Sequence, residues 1–294
     1  MKDENSLANG SVKASNENRE ENRKKDSEDQ LKSSLILHHS SYVSRSFGRP
    51  QPYAFLAPPD YESAKTPDHS EKRYPLLILL HGLTGNHLTW SAQTRLAQYA
   101  GSHEFVIAFP EGGEGWYTNA FDGANNYEDD LVQDFIPHLQ RTLPLLPSGR
   151  HWAIGGMSMG GYGAVKIALQ HGRMFSLAVS HSGAFEFNLR KESHVVFGDP
   201  ENDLGIRRAT NVFKLAEDAL STWPPARPNL YFDCGVGDRW LEANRHFHQH
   251  LDYIGYRHTY VEQPGYHTLP YWDRAISQAL PTIADAIGAG TRDR

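Results

Sequence analysis

Three residues of this 294-residue chain have the types and surroundings for nucleophilic acyl chemistry: Ser158, Asp238 and His267. Ser158 sits in Gly156-Met157-Ser158-Met159-Gly160-Gly161. The apolar run Trp152-Ala153-Ile154 precedes it, and the helix-forming stretch Tyr162 to Leu169 follows. Strand, Gly-rich turn, then helix is the context in which a G-x-S-x-G pattern means a nucleophile elbow. Such a turn holds its serine in a strained backbone conformation. Gly156 and Gly160 remove the Cβ atoms that would collide with the turn and the following helix. A serine hydroxyl is a weak nucleophile until a neighbouring base takes its proton, and that base needs an orienting group. His267, in Pro264-Gly265-Tyr266-His267-Thr268, is the candidate base. Asp238, in Gly235-Val236-Gly237-Asp238, is the candidate orienting acid. Asp233 is the competing carboxylate; its place at a strand end suits a structural hydrogen bond better.

Charge that develops on a substrate oxygen needs donors. The loop His81-Gly82-Leu83, just after an apolar strand, and the residue after the serine offer two. The expected oxyanion donors are the backbone N–H groups of Leu83 and Met159. His81 has two readings: a brace that hydrogen-bonds the loop, or a substrate contact. Trp116 and Trp240 are the other candidate substrate contacts, with Trp90 and Tyr117 as further aromatic residues. For Trp116, a pocket wall and core packing are equally supported. His246, His248 and His250 include an i, i+4 pair, but the plain reading is a solvated helix face, and no metal site is expected. Gly112-Gly113-Glu114-Gly115 lacks the Lys-Ser/Thr of a phosphate-binding loop.

These residues require a scaffold of alternating strands and helices. Pro75 to Leu80 is a continuous apolar run, as in a parallel strand buried on both faces. Further strands are expected at 105–109, 175–180, 230–234 and 258–262. Helices are expected at 88–99, 127–143, 240–254 and 271–286. Two initial strands, 34–46 and 51–56, are joined through Gly48-Arg49-Pro50. Residues 184–209 read as an irregular insertion over the site's edge. The sum is a mostly parallel central sheet with helices on both faces and antiparallel strands at its N-terminal edge. The chain order Ser158, Asp238, His267 is that of α/β-hydrolases.

Residues 1–34 hold few large apolar side chains and are expected to be a disordered charged tail, followed by a catalytic domain over 35–290. Within the tail, Glu17 to Lys32 has helix-forming composition. A net charge of −6 argues against nucleic acid or anionic membrane as the main partner. A single cysteine, Cys234, excludes an intrachain disulfide. Without an apolar leader segment the expected location is cytoplasmic. No sequence feature sets the oligomeric state.

Five segments resemble the esterase D or "putative esterase" family of α/β-hydrolases: Leu79 to Asn86, Trp116-Tyr117, Gly156 to Ala164, Phe232 to Arg245, and Pro264 to Trp272. That family includes tributyrin-type esterases, feruloyl and acetyl esterases, S-formylglutathione hydrolases and mycolyltransferases. The resemblance implies Ser158 as nucleophile, His267 as base and Asp238 as orienting acid. It is closest to the tributyrin and cinnamoyl esterase branch. The S-formylglutathione hydrolase branch carries a cysteine-bearing segment where this chain has Asn86-His87-Leu88-Thr89-Trp90. The expected function is hydrolysis of short-chain acyl or aryl esters of small molecules, without cofactor. Thioester hydrolysis and acyl transfer use the same triad. A non-catalytic ligand-binding protein of this fold is the reading from another class.

Overall fold

The computed structural model describes residues 35–62, 72–222 and 227–291. The expected tail, 1–34, lies outside the described residues. Eight strands form one sheet: β1 (Ile36–Ser44), β2 (Arg49–Ala57), β3 (Leu76–Leu80), β4 (Val106–Pro110), β5 (Gly149–Met157), β6 (Phe175–His181), β7 (Asn229–Gly235) and β8 (His258–Gln263). Their spatial order is β1-β2-β4-β3-β5-β6-β7-β8. The β1–β2 and β2–β4 pairs are antiparallel and every other pair is parallel.

Alternation along the strands splits the core into two layers. Leu76, Ile78 and Leu80 of β3 join Val106, Ala108 and Ile154 on one face. Leu77 and Leu79 join Ile107, Phe109 and Ala153 on the other. Four helices cover the first face: α1 (Ile136–Thr142), α2 (Met159–Gln170), α3 (Val212–Ser221) and α4 (Leu241–Ile254). The long C-terminal helix α5 (Leu269–Ile287) covers the second, with the short helices Thr89–Gln93 and Leu96–Tyr99. This is the two-sided, mostly parallel arrangement expected from the apolar runs, and it agrees with the α/β-hydrolase fold that the family resemblance implies.

Five local features differ from the expected ones. The hairpin turn falls earlier than Gly48-Arg49-Pro50: Arg49 and Pro50 already pair with Ser44 and Val43. Pro50 is tolerated because β2 meets β4 only from Tyr53 on, so its missing N–H removes no bond there. Asp134 holds the turn, accepting from the Ser46 N–H at 2.8 Å and from Arg45 Nε at 2.7 Å. The helix expected over 88–99 breaks at Thr94, whose hydroxyl donates to the Trp90 carbonyl and whose backbone is extended. The helix expected over 127–143 contains a π-helical stretch, Asp130–Phe135. From that wide turn Asp130 reaches the Tyr42 hydroxyl while Asp134 reaches the hairpin. The fourth difference is α3, which the sequence reading passed over. Its signal is present: Asn211 caps the Phe213 and Lys214 N–H groups, and Val212, Ala216 and Ala219 are buried at helical spacing.

The segment after β6 is more ordered than an irregular insertion. It holds helical turns at Phe187–Leu189, Lys191–Ser193, His194–Phe197 and Leu204–Ala209. The buried Arg207 guanidinium staples it by donating to the carbonyls of Asn188 and Gly198.

One buried charge fixes α2 against the helical turn Tyr127–Asp129 that precedes the π-helical stretch. Lys166, fully buried, donates to Glu128 Oε2 at 2.5 Å. Burial pulls the Lys166 pKa down, and the Glu128 carboxylate opposes that shift. Burial alone would raise Glu128, but Lys166 and His171 bring it down to about 2. A depressed carboxylate contributes stability above its unfolded pKa and loses it as pH falls through the folded value. Glu128→Gln should therefore lower unfolding free energy by about 3 kcal/mol at neutral pH, since it strands a buried ammonium. In denaturant titrations the difference from the parent protein should shrink as pH drops from about 4.5 toward 2.

Candidate active site

All three candidate side chains lie at the C-terminal edge of the parallel strands. Ser158 follows β5 directly, Asp238 lies just past β7, and His267 lies in the loop after β8. Ser158 has φ 54° and ψ −115°, a conformation disfavoured for any residue with a Cβ. Close packing enforces it. A Cβ on Gly156 would stand 2.4 Å from the Gly160 carbonyl carbon, and one on Gly160 would stand 2.4 Å from the Leu80 carbonyl oxygen. Both obstacles are backbone, so neither glycine can be replaced without moving a strand or a helix. The Ser158 N–H donates to the His181 carbonyl at 2.9 Å, and its carbonyl accepts from the Ala184 N–H at 3.3 Å. The elbow is thereby tied to the end of β6.

Ser158 Oγ lies 2.8 Å from His267 Nε2. On the far side of the ring, Nδ1 stands 3.0 and 2.9 Å from the two Asp238 oxygens. Asp238 also accepts from the Trp240 N–H at 2.8 Å. Burial would raise the Asp238 pKa; the hydrogen bonds from His267, Trp240 and Ser182 and the charge of His267 hold it below the usual carboxylate value. The side chain therefore stays ionised beside the ring, as an imidazolium would require.

Asp233 is elsewhere. It is fully buried and accepts from His181 Nδ1 at 2.6 Å and the Tyr271 hydroxyl at 2.8 Å. His267 makes its bonds to Asp238 instead.

The donor loop passes close to the serine: a Cβ on Gly82 would stand 3.5 Å from Ser158 Cβ. Leu83 follows on that turn. Met159 is the first residue of α2, so its N–H has no acceptor within the helix. His81 is 1% exposed, and both ring nitrogens meet backbone: Nε2 accepts from the Gly112 N–H at 2.9 Å and Nδ1 lies 2.8 Å from the Gly82 carbonyl. That is the geometry of a loop brace joining the turns after β3 and β4. A substrate contact through its ring has no free nitrogen to use, so that expectation is corrected. Glu111 supports the same junction; burial opposes its charge, but hydrogen bonds that include those from His87 and the Gly113 N–H bring its pKa down to about 2.

Trp116 and Trp240 are largely buried. Trp116 stacks on Phe187 with ring centroids 3.7 Å apart, and Phe187 meets Trp240 edge-on at 6.4 Å. The Arg190 guanidinium lies 4.5 Å above the Trp240 ring. Phe187 is tied to the elbow through Ala184, whose carbonyl takes the Phe187 N–H and whose own N–H binds Ser158. Trp90 packs in the other layer and donates to the Leu80 carbonyl, away from this aromatic group. Cys234 offers no rival nucleophile: burial raises its thiol pKa.

Sequence reasoning missed Ser182 and Trp272. Ser182, at φ 54°, helps hold the Asp238 carboxylate ionised and accepts from Trp272 Nε1 at 3.1 Å. The Trp272 ring meets the His267 ring edge-on at 4.9 Å. A serine after a strand carries no motif, so only the fold reveals it.

The "Putative esterase" family profile matches residues 44–283. The chain belongs to this family. An acetyl esterase of Caldicellulosiruptor saccharolyticus is 25% identical over 72% of this chain and 84% of its own length. The esterase Rv1288 of Mycobacterium tuberculosis is 26% identical, and this chain spans about half of it, 51%. Among solved structures, the fluorophosphonate-binding serine hydrolase F of Staphylococcus aureus superposes with TM-score 0.76 at 26% identity, covering 85% of this chain and 98% of that one. The S-formylglutathione hydrolase of Staphylococcus aureus gives 0.73 at 27%, with the same coverage. Ester hydrolysis on a serine-hydrolase scaffold is thus the reaction class of this family member.

Ser182 generates a test. A hydrogen bond to a charged group is worth roughly 1.5–3 kcal/mol. Ser182→Ala should therefore lower kcat on a chromogenic ester by about tenfold or more while KM stays the same. An unchanged kcat would remove Ser182 from the account.

Proposed function

We propose that this protein hydrolyses small carboxylic esters through a covalent acyl-enzyme on Ser158. The observation that carries the reading is the continuous relay from Ser158 Oγ through the His267 ring to Asp238, at 2.8 and 2.9 Å. In the first step His267 Nε2 takes the hydroxyl proton as Ser158 Oγ bonds the ester carbonyl carbon. Asp238 holds the Nδ1–H tautomer and stabilises the imidazolium. The carbonyl oxygen becomes an oxyanion and rests on the Leu83 and Met159 N–H groups, at the positive end of α2. The tetrahedral intermediate collapses, the C–O bond to the alcohol breaks, and His267 gives the alcohol its proton. Water then enters. His267 takes one of its protons, hydroxide bonds the acyl carbon, and Ser158 leaves with the proton returned. No cofactor takes part in these steps.

The acyl group is a short-chain or aryl one, as in acetyl, butyryl or feruloyl esters. Supporting this are the Phe187, Trp116 and Trp240 rings beside the elbow and the similarity to an acetyl esterase. Thioester hydrolysis is the second reading, favoured by the 27% identity to an S-formylglutathione hydrolase. The small-molecule substrate would be met in solution. No helix among the described residues is long and apolar enough to cross a membrane. A cytoplasmic location fits that reading.

Initial rates on p-nitrophenyl acetate through decanoate, beside methyl ferulate and S-formylglutathione, test the assignment. The expected maximum lies at acetate to butyrate or at ferulate. Ser158→Ala should lower kcat by up to about 10⁶-fold. A maximum on S-formylglutathione would select the thioester reading. An active, contamination-free Ser158→Ala protein would overturn the mechanism.

A further inference from the structure

At the end of β8 remote from the elbow, three side chains converge that the esterase chemistry does not use. His248 and Asp252 lie one turn apart on α4, and His258 opens β8. His248 Nδ1 stands 2.7 Å from His258 Nε2. Asp252 straddles the pair: Oδ2 is 3.5 Å from His248 Nε2, and Oδ1 is 3.8 Å from His258 Nε2. One donor atom from each residue lies within 4.8 Å of those of the other two.

Neighbouring groups orient both rings. His258 Nδ1 lies 2.8 Å from the Tyr256 carbonyl. A proton there fixes the tautomer that leaves the Nε2 lone pair facing His248 and Asp252. A backbone carbonyl on the outer nitrogen is the usual support of a metal-binding histidine. The His258 ring is stacked on Phe232 at 5.7 Å, and the His248 ring lies against Tyr260 at 4.9 Å. Asp252 is 63% exposed, so an ion has a path from solvent.

We propose that His248, Asp252 and His258 form a binding site for a borderline divalent cation such as Zn²⁺. Two imidazole nitrogens and one carboxylate oxygen match that class of ion, with water completing the tetrahedron. The ion takes the place of the proton now shared between the two rings. Zn–N distances of about 2.0–2.1 Å at tetrahedral angles need the nitrogens roughly 3.3 Å apart. His248, on the half-exposed side, moves out by the difference. With Nδ1 ligated, its proton resides on Nε2, facing Asp252 Oδ2, so the ring remains neutral. Hard cations such as Mg²⁺ prefer all-oxygen shells and are excluded.

The site ties the last turn of α4 to β8. The six residues of β8 span about 17 Å at 3.3 Å per residue, which separates the cluster from the loop carrying His267. Its consequence is stabilisation of the edge strand, not participation in acyl transfer. It is also distinct from the helix-only arrangement. His246 is engaged by Glu186 at 2.8 Å and His250 lies 3.2 Å from the Phe213 carbonyl, so neither accompanies His248.

The test is isothermal titration of the chelator-treated full chain with Zn²⁺, together with thermal unfolding in Zn²⁺ or Mg²⁺. Expected are one equivalent of bound Zn²⁺ and, at a hundredfold excess over Kd, a Tm rise of roughly 5 °C, with no response to Mg²⁺. His248→Ala, at a half-exposed helical position where alanine preserves the fold, should weaken binding by about a hundredfold or more. Asp252→Asn should weaken it less, and His246→Ala should leave it unchanged. Turnover of p-nitrophenyl acetate by His248→Ala should match the parent. Absence of stoichiometric binding, or binding that His248→Ala leaves intact, would overturn the proposal.

Discussion

The left-handed backbone of Ser158 is a conformation the chain would leave if it could. It persists because the crossing of β5 and α2 leaves room for no other path. The Leu80 carbonyl and the Gly160 backbone occupy the space on either side. The rest of the molecule can be read as support for that crossing. Two apolar layers clamp the strands, Lys166 and Glu128 anchor the far part of α2, and the His181 and Ala184 backbones tie down the serine's own N–H and carbonyl. Strain of this kind is a local cost, offset by a core that buries five successive residues of β3 and of β4.

From that fixed point the relay needs only short reaches. Parallel strands all deliver their following loops to one edge, so residues remote in sequence meet there. Ser158, Asp238 and His267 come from three different loops. Ser182, from a fourth, helps keep Asp238 ionised, and the Trp272 ring of α5 flanks the His267 ring. Asp233 and His181 form a second carboxylate–imidazole pair one layer deeper. Being closed from solvent, it holds β6, β7 and α5 together and has no route to a substrate.

Much of this was legible because the relevant signals are local. The apolar runs of β3 and β4, the G-x-S-x-G turn and the loop positions of Asp238 and His267 each follow from short-range rules. What escaped notice depends on contacts between distant segments. The π-helical stretch at Asp130 is shaped by bonds to β1 and its hairpin. Pro50 is admitted to β2 only because β4 ends earlier. His81 could be read either as brace or as contact until Gly112, thirty-one residues away, was found on its ring. His248 read as a solvated helix residue because its partner, His258, lies on another element. The helix α3 is the exception: its Asn211 cap and its apolar spacing are themselves local signals.

The central claim is that Ser158 alone, made nucleophilic by His267 and Asp238, carries the acyl group. The most direct measurement is to treat the protein with a fluorophosphonate and map the adduct by peptide mass spectrometry. The account predicts a single phosphonyl group on Ser158, lost in His267→Ala and strongly slowed in Asp238→Asn. An adduct on another serine, or no adduct on natively folded protein, would contradict it.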